Sequence, residues 1–348
     1  FGFFPSVSAG WQIAQERFMN STRHWLDGLK LRASYGVIGN QNINPYTFTP
    51  SMSVNNKATS WIIDDTYVTS ISSLPALVSQ NFTWEKVGTI NVGLDVNLFN
   101  NRLSGVFEWY QRNTNGMLAP GVQLPAVVGA SAPYQNTADM RTRGWELSLN
   151  WRDQIGKVGY RIGFNLSDYK SEIIKYDDNA ATKLLSSYYP GQTLGEIWGY
   201  VVDGYYTVDD FVDTSSWQLK EGVTSINGYN VRPGDVKFKN LRDDDTSTNV
   251  ITSGDNTFDN PGDRKVIGNT TPRYQYGINL GMNYAGFDLN VILQGTGKRD
   301  YWISNVLTFP MNGDNFVPLF EGLSDYWMPK DPDNGDWSAV NPNAKYPR

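Results

Sequence analysis

A period of two recurs along this chain, and it is the feature that most limits the fold. Between Tyr274 and Tyr284 the residues Tyr274, Tyr276, Ile278, Leu280, Met282 and Tyr284 alternate with Gln275, Gly277, Asn279, Gly281 and Asn283. After Ala285-Gly286 the pattern restarts as Phe287, Leu289, Val291 and Leu293 against Asp288, Asn290 and Gln294. In an extended strand successive side chains point to opposite faces, so this is a hairpin with one apolar and one polar face. The same alternation marks strands near 3–13, 28–38, 88–98, 102–114, 142–152, 158–169, 272–284 and 286–297, with a ninth expected at 300–309.

Connection lengths then choose what the apolar face touches. "FNNR" (99–102), "RDQIGK" (152–157) and "AG" (285–286) are short, and 14–27 is of medium length. The connections 39–87, 115–141 and 170–271 are long, and long alternates with short. Long structureless loops count against a compact soluble domain. A transmembrane β-barrel has this order, with tight turns on the periplasmic side, long loops outside, and strands of about ten residues. The polar positions are mostly Asn, Gly, Ser, Gln and Asp, suited to a crowded wet lumen, and Trp145, Trp151, Tyr274 and Tyr284 stand at strand ends as an interfacial girdle would. The expectation is an all-β, antiparallel barrel wall whose apolar face meets lipid.

Composition excludes several functions. No uninterrupted apolar run reaches the ~18 residues of a membrane helix. Cysteine is absent, and His24 is the single histidine, so thiolate and histidine metal sites are not expected. A net charge of −6 argues against nucleic acid. "QGTGK" (294–298) lacks the upstream Gly and the Ser/Thr of a phosphate loop and reads as a strand end. No nucleophile–base constellation is present, so the chain reads as a non-enzyme.

Two clusters are candidate sites. In "NLRDDDTSTNVITSGDNTFDNPGDRKVIGN" (240–269), Asp243, Asp244, Asp245, Asp255, Asp259 and Asp263 offer oxygen ligands for a structural Ca²⁺ or Mg²⁺. The competing and simpler reading is a solvated acidic loop with Asx turns and no required cofactor. The long connections also hold Trp61, Tyr67, Tyr134, Tyr188, Tyr189, Trp198, Tyr200, Tyr205, Tyr206 and Trp217. Flat rings beside Asp, Asn and Gln suit sugar recognition, and Trp61, Tyr188, Tyr189, Trp198, Tyr205 and Trp217 are the candidate substrate contacts. Loop packing or a partner interface would use the same rings.

Seven segments in order carry a family likeness: "FFPSVSAGW", "WLDGLKLRASYGVIGNQNI" (25–43), "WEKVGTINVGLDVNLFNNRLSGVFEWYQRNTNGML" (84–118), "NTADMRTRGWELSLNW" (136–151), "GQTLGEIWGYVVDGYY" (191–206), "PGDVKFKN" (233–240) and "GDRKVIGNTTPRYQYGINLGMNYAGFDLNVILQGTGKRD" (262–300). They resemble the SusC-like (RagA-type) TonB-dependent transporters of the Gram-negative outer membrane. The resemblance implies a carboxy-terminal portion of a 22-stranded barrel, with a plug domain and TonB box outside this chain. It implies active import of an oligosaccharide or peptide under a SusD-like surface lipoprotein lid, driven by the TonB–ExbB–ExbD complex, with 170–271 extracellular. The regular acidic spacing that the family often shows near 240–269 is broken here by an insertion, which puts the cation in doubt. A self-contained eight-stranded outer-membrane barrel with an adhesive or structural role, and a secreted glycan-binding β-sandwich, stay open on the residues alone.

Overall fold

Strand formation follows the period-two pattern, and in a computed structural model eight strands join into one antiparallel sheet. The structure describes all residues except 1, 42–48, 53, 56–61, 64–65, 68–70, 73–74, 76, 80–82, 123, 180–181, 186–187, 243–248 and 304–320. The strands are β1 (Ser6–Gln12), β2 (Leu26–Asn40), β3 (Glu85–Leu98), β4 (Leu103–Pro120), β5 (Tyr134–Ile155), β6 (Val158–Tyr176), β7 (Arg273–Tyr284) and β8 (Phe287–Lys298). Each pairs with its sequence neighbours, a simple meander. No helix among the described residues is long and apolar enough to cross a membrane.

Turn chemistry sets the register. Ala285 (φ 49°) and Gly286 (φ 87°) both take left-handed backbone, as a two-residue type I′ hairpin turn requires. Phe99, Asn100 and Asn101 are also left-handed between β3 and β4, and Arg102 N–H closes the turn on Phe99 O at 3.3 Å. The β5–β6 turn shrinks to Gly156 and Lys157, because pairing continues to Ile155 and Val158.

Register gathers the apolar residues into rows that cross the sheet. One row is Leu31, Leu94, Phe107, Leu147, Leu166 and Tyr276; another is Leu98, Leu103, Trp151, Ile162, Leu280 and Val291. None of these side chains is buried as a sandwich core would bury it, and several are exposed: Phe107 is 43%, Ile162 45% and Leu280 38% exposed. A continuous exposed apolar face on a sheet is a lipid-facing surface. From Trp145 to Ile155 the strand advances ~33 Å at about 3.3 Å per residue, and a tilt of ~40° reduces the height to about 25 Å, the apolar band of an outer-membrane barrel.

The sheet is a barrel wall and not a closed small barrel. β1 and β8 lie at its opposite edges, with no pairing between them among the described residues. The self-contained eight-stranded alternative needs first-to-last pairing, which the described residues do not show.

One further sequence expectation falls mostly outside the described residues, and another is corrected. The ninth strand expected at 300–309 is not seen at 300–303, and the remainder lies outside the described residues. Asp300 is held instead to the end of strand Arg264–Asn269: its N–H donates to Asn269 O (2.9 Å) and its carboxylate accepts from Asn269 N–H (2.8 Å). The stretch 170–271 is not one loop. β6 runs on to Tyr176, and Gly195–Thr270 with Thr182–Ser186 and Asp300–Arg348 form a second unit. Its small core is Tyr206, Phe211 and Val231, with Trp217, Leu219, Val223 and Ile226 packed around them. Strand Glu196–Tyr200 pairs with Arg264–Asn269, and Val202–Tyr205 with Val236–Phe238.

Candidate functional sites on the polar sheet face and in the second unit

The face opposite the apolar rows carries the charges. Arg32 on β2, Gly93 on β3 and Glu108 on β4 share one register row. The Arg32 guanidinium crosses β3 and donates to Glu108; its Nε also donates to both Asp95 oxygens, at 3.1 and 3.2 Å. Asn91 Nδ2 donates to the other Glu108 oxygen at 3.3 Å. The crossing needs a glycine, because a Cβ on Gly93 would stand 2.7 Å from Arg32 Cζ. The same device recurs on β6–β8: Arg161 lies across Gly281, where a Cβ would be 2.4 Å from its Nε, and donates to Asn290. Glycine on the polar face therefore clears paths for arginines to bridge two strands. The half-exposed groups keep charge and donors available to a polar solute while tying strands together.

The candidate aromatic contacts separate by burial. Trp61 lies outside the described residues. Tyr189 is 1% exposed, so as a substrate contact it is corrected: its ring is enclosed by protein. Trp217 is built into the second unit's core, edge-on to Phe211 (5.3 Å) and Trp337 (5.0 Å), with the Arg232 guanidinium over its ring. Tyr205 uses its hydroxyl to donate to Ala344 O at 3.0 Å; burial, then the Asp325 carboxylate, push its pKa up. Tyr188 is exposed, its ring edge-on to Tyr176 at 5.6 Å. Trp198 is partly exposed and packs edge-on to Phe258. Among the described candidates, Tyr188 has the most exposed ring, at 48%.

In the acidic segment the described carboxylates meet protein donors. Asp263 is fully buried; one oxygen accepts from Leu241 N–H (2.8 Å) and Arg242 N–H (3.3 Å), the other from Thr252 N–H (2.7 Å). Backbone N–H groups satisfy the lone pairs a hard cation would need. Asp255 accepts from Asn260 Nδ2 at 3.0 Å, and Asp259 contributes its backbone carbonyl to Arg242. Asp243, Asp244 and Asp245 lie outside the described residues. Among the described residues no group of three or more His, Cys, Asp or Glu is arranged to hold a metal ion.

Sequence reading passed over Arg32, Asp95, Glu108 and Arg161, because each is an ordinary polar position in its own strand. The signal available was register: an arginine level with a glycine on the next strand and an acceptor on the strand beyond.

With the fold and these sites in place, comparisons with known proteins agree on one group. Residues 1–328 match the family described as TonB dependent receptor-like, beta-barrel. The chain is 29% identical over 314 residues to TonB-dependent receptor P3 of Formosa agariphila, covering 85% of this chain and 28% of that protein. It is 33% identical over 177 residues to TonB-dependent receptor SusC of Bacteroides thetaiotaomicron, covering 50% of this chain and 17% of SusC. A structure of the RagAB peptide importer in its "open-open" state superposes with a TM-score of 0.62 at 24% identity, over 84% of this chain and 28% of that one, a likeness of fold. The chain thus spans less than a third of the length of these relatives. Its lipid-facing apolar rows, charged inner face and family match place it together: the chain belongs to the TonB-dependent receptor-like β-barrel family.

Proposed function

We propose that this chain is part of the wall and outer loops of an outer-membrane importer of a Gram-negative bacterium, with the polar face lining the lumen. The observation that carries the reading is the eight-stranded meander with one exposed apolar face and a charged, glycine-spaced opposite face. A single layer of this kind fits the boundary between lipid and a wet interior. The long connections, including 177–272, face the cell exterior. The substrate is an oligosaccharide or a peptide too large for porins, captured under a SusD-like lipoprotein, and the driving force comes through TonB–ExbB–ExbD. Support for this assembly is the likeness to SusC and RagAB together with the exposed ring of Tyr188.

The test is uptake in the native host. Deleting the gene should abolish growth on one class of oligosaccharide or peptide, and the intact gene should restore it. Uptake of that labelled solute should stop when TonB is deleted; continued uptake would overturn the reading. Protease added to intact cells should cut within 195–270 and spare 99–102 and 152–157, and the reverse pattern would invert the orientation.

A further inference from the structure

The outward face changes chemistry abruptly at one end of the apolar band. Val92, Trp109 and Trp145 form its last apolar row, which continues to Asp168 opposite Trp145. The next row reads Ile90, Gln111, Arg143 and Lys170. Arg143 and Lys170 are both exposed and stand directly opposite each other across β5 and β6. Cross-strand partners hold their Cβ atoms ~4.5–5.5 Å apart, and like charges in that position repel.

No neighbouring acid forms an ion pair with Arg143 or Lys170 among the described residues. Arg143 Nε donates to the neutral Gln111 Oε1 at 2.8 Å. Asp168, two residues before Lys170, has both oxygens taken by Arg273 Nε and Nη2 at 2.5 Å each. Glu172, two residues after it, lies opposite Arg141. Gln111 therefore orients the Arg143 guanidinium while its two terminal nitrogens stay uncommitted, beside an unpaired ammonium.

We propose that Arg143 and Lys170 clasp the phosphate of a phosphorylated glycolipid headgroup in the outer leaflet. The guanidinium would hold two phosphate oxygens as a fork, and the ammonium would add a point charge. A membrane lipid is favoured over a free anion by position. The pair sits one register row, about 7 Å, beyond Trp109 and Trp145, so acyl chains on the apolar rows would bring their headgroup to it. Phe107 and Trp145, stacked at 6.5 Å, form the wall below. The inference rests on the reading of the sheet as an outer-membrane wall with its long connections outside.

The test uses the full-length protein reconstituted into phosphatidylcholine vesicles doped with a phosphorylated glucosamine-disaccharide lipid. After gentle detergent extraction, retained lipid is counted by native mass spectrometry. Removing two cations at an anionic headgroup should weaken retention about 30-fold in R143Q/K170Q. The charge-conserving R143K/K170R should keep most of it, which separates charge from folding. Lys30→Gln, a cation lost from the opposite face, should retain lipid like the parent protein. Lipid stripped of its phosphate should be held no better by the parent than by R143Q/K170Q. Equal retention by the parent and R143Q/K170Q would overturn the proposal, as would displacement of the lipid by millimolar inorganic phosphate. A parent protein that stays monodisperse without detergent would instead sink the membrane reading itself.

Discussion

Leu280→Arg puts the lipid-facing assignment at risk. Leu280 stands in the row of Leu103, Trp151, Ile162 and Val291 and is 38% exposed. It lies four residues before Tyr284, where β7 turns into β8. Four residues advance ~13 Å along a strand, or about 10 Å of depth at a ~40° tilt, close to the middle of a band about 25 Å tall. Arginine at that depth on the lipid face costs about 2–4 kcal/mol, a factor of roughly 30 to 800 in the folding equilibrium. Asn279 is its neighbour on the same strand but faces Gly163 on the polar side. Asn279→Arg meets water and glycine space, and should cost under about 1 kcal/mol. Guanidinium unfolding of the full-length protein from lipid vesicles measures both. Equal costs, or a larger cost at Asn279, would refute the reasoning, because a soluble sheet with both faces wet has no such asymmetry.

Gly93→Ala should push the Arg32 guanidinium off its path to Glu108 and lower stability by about 1 kcal/mol, the ion pairs being half-exposed; in the same vesicle titration, an unchanged midpoint would count against the arginine-over-glycine bridge. Asp263→Ala strands the part-buried N–H groups of Leu241 and Thr252, at about 1–3 kcal/mol in all, so limited proteolysis should open 240–265 early, whereas chelation of divalent cations should leave the parent's digestion pattern unchanged. Asp213 is held below the ordinary carboxylate range by hydrogen bonds from the Ser215 and Ser216 hydroxyl and N–H groups. Its folded-state pKa is depressed, so its contribution is present above the ordinary value of about 3.9 and lost as pH falls through the folded-state value; amide protection factors of the 213–217 turn, corrected for the intrinsic pH dependence of exchange, should fall on acidification, and unchanged protection would count against these hydrogen bonds holding the turn.

Strand existence, the tight turns and the two-faced character were legible in the sequence, because each depends on neighbours along the chain. Alternation places Leu280 and Asn279 on opposite faces whatever else the protein does, and Ala285-Gly286 can only close a short hairpin of this kind. The tertiary structure decided what depends on register and on residues far apart in sequence. Residue spacing does not say that Arg32 meets Glu108 across Gly93, or that Arg143 faces Lys170; strand offsets settle both. Nor could the pattern distinguish Tyr188 from Tyr189, adjacent and chemically alike, one exposed and the other enclosed. The acids of 240–269 looked like cation ligands because composition counts carboxylates. Folding aimed backbone N–H groups at Asp263 and turned that carboxylate into a structural anchor, since a buried charge must be satisfied by whatever donors the fold brings to it.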